Sequence, residues 1–431
     1  MRMQHTVHVE RRTPRGGGNA GTSRCAPAAP PRSFASRGSL IPVFRHIPPV
    51  YSAIGPSALW RAALDQRGNG APQLRLAARD RLGRLYPDRE ITLTDSGTSS
   101  LLLALRLTLP AVGQAPLVAL PAYACPDVGA AAVGAGYRIM LYDTNPETLC
   151  PDLSSLRRCL DAGCSHVVAV HLFGWIVDVG AVIELARPYG ALVIEDAAQQ
   201  AGGTKGGVRG GALADWSILS FGRGKGFNAG GGGALLQRAS ACPVSMADGD
   251  APVGSGVALA KAVAGELLSR PWLYWLPTAV PSLRLGETMF HAAGVPRAIS
   301  ATSAALLIEA IGREAGDVTA RRLTETRYAE ALADARGVRL SRAAADMHSG
   351  ALRYPVRLPP EIGLPLRALG VARSYPRTLA QYRELTAHIE ARSEPLHGAA
   401  ELASSLHTLP THSRVRRNDI DRIIAQLTPR R

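Results

Sequence analysis

From about residue 90 to residue 240, short apolar runs alternate with segments of helical periodicity. Runs at 117–120, 137–143, 166–173, 191–195, 216–221 and 234–237 are short and close on polar or glycine residues, which predicts strands. Between them, 98–109, 126–135, 153–162 and 179–189 carry helical patterns. Alternation of this kind predicts an α/β fold: a mostly parallel sheet with crossover helices on both faces. Open sheets of that type place ligands at the carboxyl ends of their strands. Asp196, Ser220 and Lys225 all fall at such ends.

The rhythm breaks at 241–296, where Gly, Pro and the cluster Trp272-Leu-Tyr-Trp275 read as an insertion, a lid or a partner-contact arm. Beyond it, 301–335 reads as a long helix and 354–358 as a strand, followed by helices ending in 419–427. The expected organisation is a tail at 1–40, a large ligand-binding domain at 41–240, the interface segment at 241–296 and a smaller C-terminal α/β domain at 297–431. The tail is expected to be disordered, because an Arg/Gly/Pro-rich stretch without apolar periodicity buries too little surface to offset the entropy of ordering.

Charge changes this picture little. The chain of 431 residues has a formal net charge of +15. Residues 1–40 hold seven arginines against Glu10, and 414–431 hold six against Asp419 and Asp421, so the two ends supply ten of the fifteen charges. The body between them therefore carries no general polyanion signature, and nucleic acid is not an expected partner. No run reaches the roughly 18 uncharged apolar residues of a membrane span, and no secretory signal pattern opens the chain; a cytoplasmic location is expected. The six cysteines form no C-x-x-C pair and no His-Cys spacing suited to zinc, so no metal site and no disulfide framework is expected.

Lysine is more informative than net charge. Among 49 basic residues only Lys205, Lys225 and Lys261 are lysines. Lys225 lies in Ser220-Phe-Gly-Arg-Gly-Lys225-Gly-Phe-Asn-Ala-Gly-Gly-Gly-Gly233. Arginine supplies charge everywhere else, but a guanidinium stays protonated and forms no Schiff base. A phosphate-binding P-loop would need glycine at Leu219 and Ser or Thr at Gly226, and a dinucleotide fingerprint would need two further glycines around Asp95-Ser-Gly-Thr-Ser-Ser100. What remains is an amine after one strand, the carboxylate of Asp196 after another, and a Gly97-Thr98-Ser99 turn at a helix start, where free N–H groups and the dipole suit a phosphate. Those are the parts that pyridoxal 5'-phosphate (PLP) requires: an amine for its aldehyde, a carboxylate for its pyridine nitrogen and donors for its phosphate.

Taken together and in order, these blocks resemble the DegT/StrS family of PLP-dependent sugar aminotransferases, of PLP-transferase fold type I. Ser96-Gly-Thr-Ser-Ser-Leu101 resembles its phosphate turn and Leu120-Pro-Ala-Tyr-Ala-Cys125 its cofactor-facing loop. Asp143 with Pro146, and Val170-His-Leu-Phe-Gly174, resemble the next strand ends. Ile194-Glu-Asp-Ala-Ala-Gln199 and Ser220-Phe-Gly-Arg-Gly-Lys225 resemble the aspartate and lysine blocks, and Leu409-Pro-Thr-His with Asp419-Ile-Asp-Arg the C-terminal ending. The resemblance runs from about residue 41 onward.

It implies that Lys225 carries PLP through its amine and is the catalytic residue, that Asp196 pairs with the ring nitrogen and that Gln199 meets the ring hydroxyl. Thr98, Ser99 and Ser220 would hold the phosphate. It also implies a homodimer, a nucleotide-activated keto sugar as acceptor, glutamate as amino donor, and a role in polysaccharide, glycoconjugate or secondary-metabolite biosynthesis. Relatives with histidine in place of the lysine act as dehydratases, so lysine points to transamination. Two features depart from the pattern: Cys125 stands where relatives place an aromatic ring over the cofactor, and Gly294-Val-Pro-Arg297 lacks the asparagine of the motif that reaches into a neighbouring subunit's site. Two alternatives stand beside this reading: amination of a non-sugar cyclic ketone, and a catalytically idle member with a binding or regulatory role. His171 reads as a packed, hydrogen-bonded residue, and Lys205 and Lys261 as solvent-facing.

Overall fold

Continuous apolar runs, rather than alternating ones, occupy the centre of the sheet, because strands covered by helices on both faces have no solvent side. The computed structural model of the protein describes residues 45–65, 70–110, 115–238, 255–279, 288–359, 364–390 and 395–428. The expected tail at 1–40 and parts of the expected insertion lie outside them. The large sheet is built from β1 (Arg89–Thr94), β2 (Leu117–Pro121), β3 (Arg138–Tyr142), β4 (His166–Val170), β5 (Leu192–Asp196), β8 (Trp216–Ser220) and β9 (Gly233–Arg238). A short ribbon adds β6 (Thr204–Lys205) and β7 (Val208–Arg209). The strand order is β1-β9-β8-β5-β4-β2-β3. Every pairing among β8, β5, β4, β2 and β3 is parallel, and β9 alone runs against its two neighbours.

Helices α3 (Gly97–Leu107), α4 (Pro126–Gly134), α5 (Leu153–Asp161) and α6 (Val179–Ala186) are the crossovers. Side-chain caps start three of them: Ser96, Asp152 and Asp178 accept from the backbone N–H of Ser99, Ser155 and Ala181, which satisfies donors left free at a helix start. The apolar faces on the two sides of the sheet form separate clusters, one around Leu102, Leu120, Tyr137 and Val168 and one around Tyr142, Leu156, Val167 and Val182. All six expected strands and four expected helices in this region are present, with ends moved by a few residues. The strand at 89–94 is not among the expected ones. Its Arg-Glu-Ile-Thr-Leu-Thr sequence alternates apolar and polar residues, and pairing to β9 makes it an edge strand.

Two helices precede the sheet, α1 (Pro56–Asp65) and α2 (Ala71–Gly83), and two follow it, α7 (Ser255–Leu268) and the short α8 (Trp275–Thr278). All but α8 pack on or beside α9 (Ala301–Leu332), a helix of 32 residues. Helix α9 also braces the chain after β5: Arg321 donates to Ala201 O at 3.1 Å, and Glu314 pairs with Arg209 at 2.7 Å. Beyond α9, β10 (Arg339–Leu340), β12 (Arg353–Arg357), β13 (Ala372–Arg373) and β14 (Leu406–Pro410) make an antiparallel sheet in the order β10-β12-β14-β13. The remaining short strand, β11 (Met347–His348), joins β6 and β7. Helices at His397–Ser405 and Arg417–Leu427 complete this part.

Candidate active site

The loop from Phe221 to Gly232 carries Lys225 away from the end of β8, and close backbone approaches fix its path. A Cβ on Gly226 would lie 2.5 Å from Ala201 Cα, and one on Gly224, whose φ is +74°, would lie 2.5 Å from a Val50 methyl; only glycine fits either position. Ser52 Oγ donates to Lys225 O at 2.7 Å, and Asn228 Nδ2 donates to Ser52 O at 2.6 Å. The segment around 48–54 is thereby strapped to the lysine loop. The ammonium of Lys225 acts electrostatically on Asp196, Asp127 and Cys125.

Asp196 closes β5 and is 5% exposed. Among the described residues its one hydrogen bond comes from Ala198 N to Oδ1 at 3.0 Å. Burial raises its pKa, opposed by that N–H and by the charge of Lys225. A buried carboxylate of this kind calls for a further N–H donor. Its sequence neighbour Glu195 is in the opposite condition, fully buried and accepting from His171 Nε2, Gly211 N, Leu213 N, Ala214 N and Ser217 Oγ at 2.6–3.1 Å. Burial alone would raise the pKa of Glu195, but the bonds from His171 and the backbone bring it below the ordinary carboxylate value. His171 Nδ1 accepts from Val177 N, so His171 is a packed, doubly bonded residue.

The turn at the start of α3 meets the end of β8. A Cβ on Gly97 would stand 2.7 Å from Ser220 Cβ, so the absence of a side chain there lets the helix N-terminus and Ser220 come together. Ser99 N and Ser99 Oγ are both bonded to Ser96 Oγ, at 3.0 and 2.9 Å. Thr98, half-buried beside them, hydrogen-bonds Asp127. Asp127 lies in the first turn of α4, and burial raises its pKa. Cys125, at the N-cap of that helix, has its thiol pushed up to about 12, chiefly by burial.

Gln199 is held at both ends of its amide: Phe173 N donates to Oε1 at 3.2 Å, and Nε2 donates to Tyr375 Oη at 2.7 Å. The rings of Phe173 and Tyr375 lie stacked, centroids 6.3 Å apart. Both residues have positive φ, +60° and +26°, a conformation that costs a non-glycine residue about 1–3 kcal/mol and concentrates at ligand sites. Tyr123 is fully buried, edge-on to Tyr375, with its hydroxyl donating to Ser374 O. It supports the wall and is not free to cover a ligand.

These groups adjoin a cavity of about 900 Å³. Lys225 and Gln199 line it; Asp196, Thr98, Ser99 and Ser220 are not among its lining residues and stand at the strand ends and helix start beside it. Several residues that line it are not read as site residues from the sequence: Phe173 and Arg223, which lie within the quoted blocks, and Tyr51, Lys261, Arg353 and Tyr375, which lie outside them. Lys261 is exposed on α7, and Lys205 pairs with Asp178 at 3.4 Å, away from the site. Arg353, in β12, and Tyr375, just past β13, arrive from more than 120 residues beyond Lys225, and no local motif marks them. Lys261 sits in the segment read from sequence as a lid or insertion, and α7 indeed forms part of the cavity wall.

The donor set fits PLP. An amine lies within electrostatic reach of a buried, under-bonded carboxylate, and a helix N-terminus cleared by Gly97 lies against Ser220, which are the groups this cofactor's aldehyde, ring nitrogen and phosphate require.

Comparison with known proteins agrees. Over 143 residues the chain is 33% identical to L-glutamine:2-deoxy-scyllo-inosose aminotransferase of Streptomyces lividus, covering 33% of each protein. It is 31% identical over 141 residues to GDP-perosamine synthase of Caulobacter vibrioides, covering 33% of this chain and 38% of that one. The matched region thus spans about a third of the length of these curated relatives. The crystal structure of AtS13 from Actinomadura melliaura superposes with a TM-score of 0.68 at 22% identity, over 90% of this chain and 99% of that one. Residues 81–428 match the DegT/DnrJ/EryC1/StrS aminotransferase family as a whole. On the strength of that match, the chain belongs to the DegT/DnrJ/EryC1/StrS aminotransferase family, and its cofactor is PLP.

Proposed function

We propose that the protein is an aminotransferase that passes the amino group of an amino-acid donor, glutamate or its amide, to a keto sugar carried on a nucleotide. The observation that carries the reading is Asp196, a buried carboxylate with a single side-chain hydrogen bond among the described residues, close enough to Lys225 for the charge of the lysine to act on it. When bound, PLP supplies an electron sink for the charge left when the amino-bearing carbon loses its proton. Nζ of Lys225 is the group that removes that proton and delivers it again. Asp196 would hold the ring nitrogen through its second carboxylate oxygen. Gln199 presents its amide to the ring hydroxyl, with Tyr375 fixing its orientation. The N–H groups of the 97–99 turn, with Thr98, Ser99 and Ser220, bind the phosphate. The strap at 48–54 and helix α7 form part of the cavity wall.

The cationic lining supports an anionic acceptor over a neutral one. Arg223 and Lys261 are exposed at the cavity, while its acidic lining residue, Glu266, is already taken by Arg414 and the Tyr51 hydroxyl. Two exposed cations without a local counter-charge suit the diphosphate of a nucleotide sugar. The match to a cyclitol aminotransferase keeps a neutral cyclic ketone as the second reading. A homodimer, a cytoplasmic location and service in polysaccharide or glycoconjugate synthesis follow from the family reading. Among the described residues no helix is long and apolar enough to cross a membrane.

The test is cofactor uptake followed spectrophotometrically, then half-reactions of the amine-loaded protein with a panel of nucleotide keto sugars and cyclic ketones. Lys225→Arg keeps the charge but removes the reactive amine, so it is expected to abolish turnover. Failure of the wild type to take up PLP, or transamination retained in Lys225→Arg, would refute the assignment. Turnover of cyclic ketones alone would select the second reading.

A further inference from the structure

Arg353 opens β12 at the wall of the cavity. A guanidinium carries five N–H donors, yet among the described residues the Arg353 guanidinium makes one hydrogen bond, a long contact of 3.4 Å from Nη1 to Thr408 Oγ1. The groups that act on its charge are the phenols of Tyr375, Tyr123 and Tyr274, and no carboxylate is among them. Burial lowers the pKa of the guanidinium, although arginine stays protonated even so.

The other cations of the cavity are accounted for differently. Arg373 spends Nε and Nη2 on Ala403 O. Lys225 is answered by Asp196 and Asp127. Arg223 and Lys261 are exposed to water. Arg353 is half-buried at the cavity wall and has no acidic partner among the described residues, so most of its N–H donors are left for an anionic ligand in the cavity. It also lies beside Tyr375, whose hydroxyl holds Gln199, and so near the groups that face the cofactor ring.

We propose that Arg353 binds the carboxylate of the amino-acid donor, offering two parallel N–H groups to its two oxygens, with Thr408 holding the guanidinium in plane. The proposal rests on the transaminase reading of the cavity. A carboxylate suits the site better than a diphosphate because the half-buried guanidinium, set among the phenols of Tyr375, Tyr123 and Tyr274, matches a small planar anion, whereas the exposed Arg223 and Lys261 are placed for a larger one.

The experiment uses the full-length, PLP-loaded protein and its Arg353→Gln and Arg353→Lys variants. PLP uptake and circular dichroism come first. If the wild type takes up no PLP, the transaminase reading fails; if it takes up PLP and only the titrations below disagree, this proposal fails alone. Calorimetric titration with glutarate, a dicarboxylate that cannot react, is expected to weaken about 10- to 100-fold in Arg353→Gln, the range for losing hydrogen bonds to a charged group. Arg353→Lys is expected to recover part of the loss, since a point charge remains but the planar fork does not. The apparent KM for L-glutamate should rise by a similar factor, while the half-reaction with a carboxylate-free amine stays as in the wild type. Unchanged glutarate binding would overturn the proposal. So would equal losses with both amines, or a loss confined to pyrophosphate, which would assign Arg353 to the nucleotide instead.

Discussion

Replacing Glu195 by glutamine removes one negative charge and no atoms, and the structure allows the consequence to be worked out bond by bond. Oε1 accepts from His171 Nε2 at 2.7 Å and Gly211 N at 2.6 Å; Oε2 accepts from Leu213 N, Ala214 N and Ser217 Oγ at 2.9–3.1 Å. An amide has one acceptor oxygen, and its NH2 faces donors on the other side. The less damaging orientation puts NH2 toward His171 and Gly211, leaving two donors unmatched. His171 cannot adapt by changing tautomer, because its Nδ1 already accepts from Val177 N. Each buried unmatched donor costs about 1–3 kcal/mol, so Glu195→Gln is expected to lose about 2–6 kcal/mol, a large part of a total stability of about 5–15 kcal/mol. Urea unfolding of the cofactor-free variant and wild type measures the difference directly. The pH dependence gives a second check. The pKa of Glu195 is lowered on folding, so its contribution is present above the unfolded carboxylate value of about 4.3 and disappears as pH falls through the lower folded value. The wild type should lose that part of its stability in acid, and the variant should not. A loss below about 1 kcal/mol, or identical acid limbs, would refute the view that this carboxylate holds the chain between β5 and β8 in place.

Two further outcomes follow from the same structure. Gly97→Ala should weaken PLP binding by one to two orders of magnitude, because the added Cβ meets Ser220 Cβ at 2.7 Å and Ser220 Cα at 3.4 Å, and overpacking costs about 1–3 kcal/mol; fluorescence titration with PLP measures it, and unchanged affinity would mean the turn does not hold the phosphate. His166 and His412 are both held near pKa 4 by burial. Their stabilisation is complete above about pH 6.5 and falls as pH drops toward 4, by about 1.4 kcal/mol per pH unit for each; a flat unfolding profile across that window would refute their burial as neutral rings.

Legibility in the sequence followed the range of the interactions concerned. The alternation of apolar runs and helical patterns between 90 and 240 reflects periods of two and 3.6 residues, which are local, and the expected strands and helices there are present. The edge strand at 89–94 and helix α7 were less legible: the first has a mixed pattern, and the second, Ser-Gly-Val-Ala-Leu-Ala-Lys-Ala-Val-Ala-Gly-Glu-Leu-Leu, is short of polar positions and interrupted by glycine. Lys225, Asp196 and the 97–99 turn stood out as candidates because each sits in a contiguous block whose chemistry is complete within six residues or so.

What the amino-acid sequence determined by itself is therefore the parallel sheet and the cofactor, with Lys225 as the candidate amine. Tertiary structure decided the walls around that amine. Gln199 is oriented by Tyr375 across 176 residues, the strap at Ser52 is tied to Lys225 across 173, and Arg353, whose backbone N–H donates to Phe173 O, has no acidic partner among the described residues. Periodicity and motif spacing act over a few residues of chain. Burial, which turns an ordinary arginine or carboxylate into a group in need of a ligand, depends on what packing brings from far along the chain.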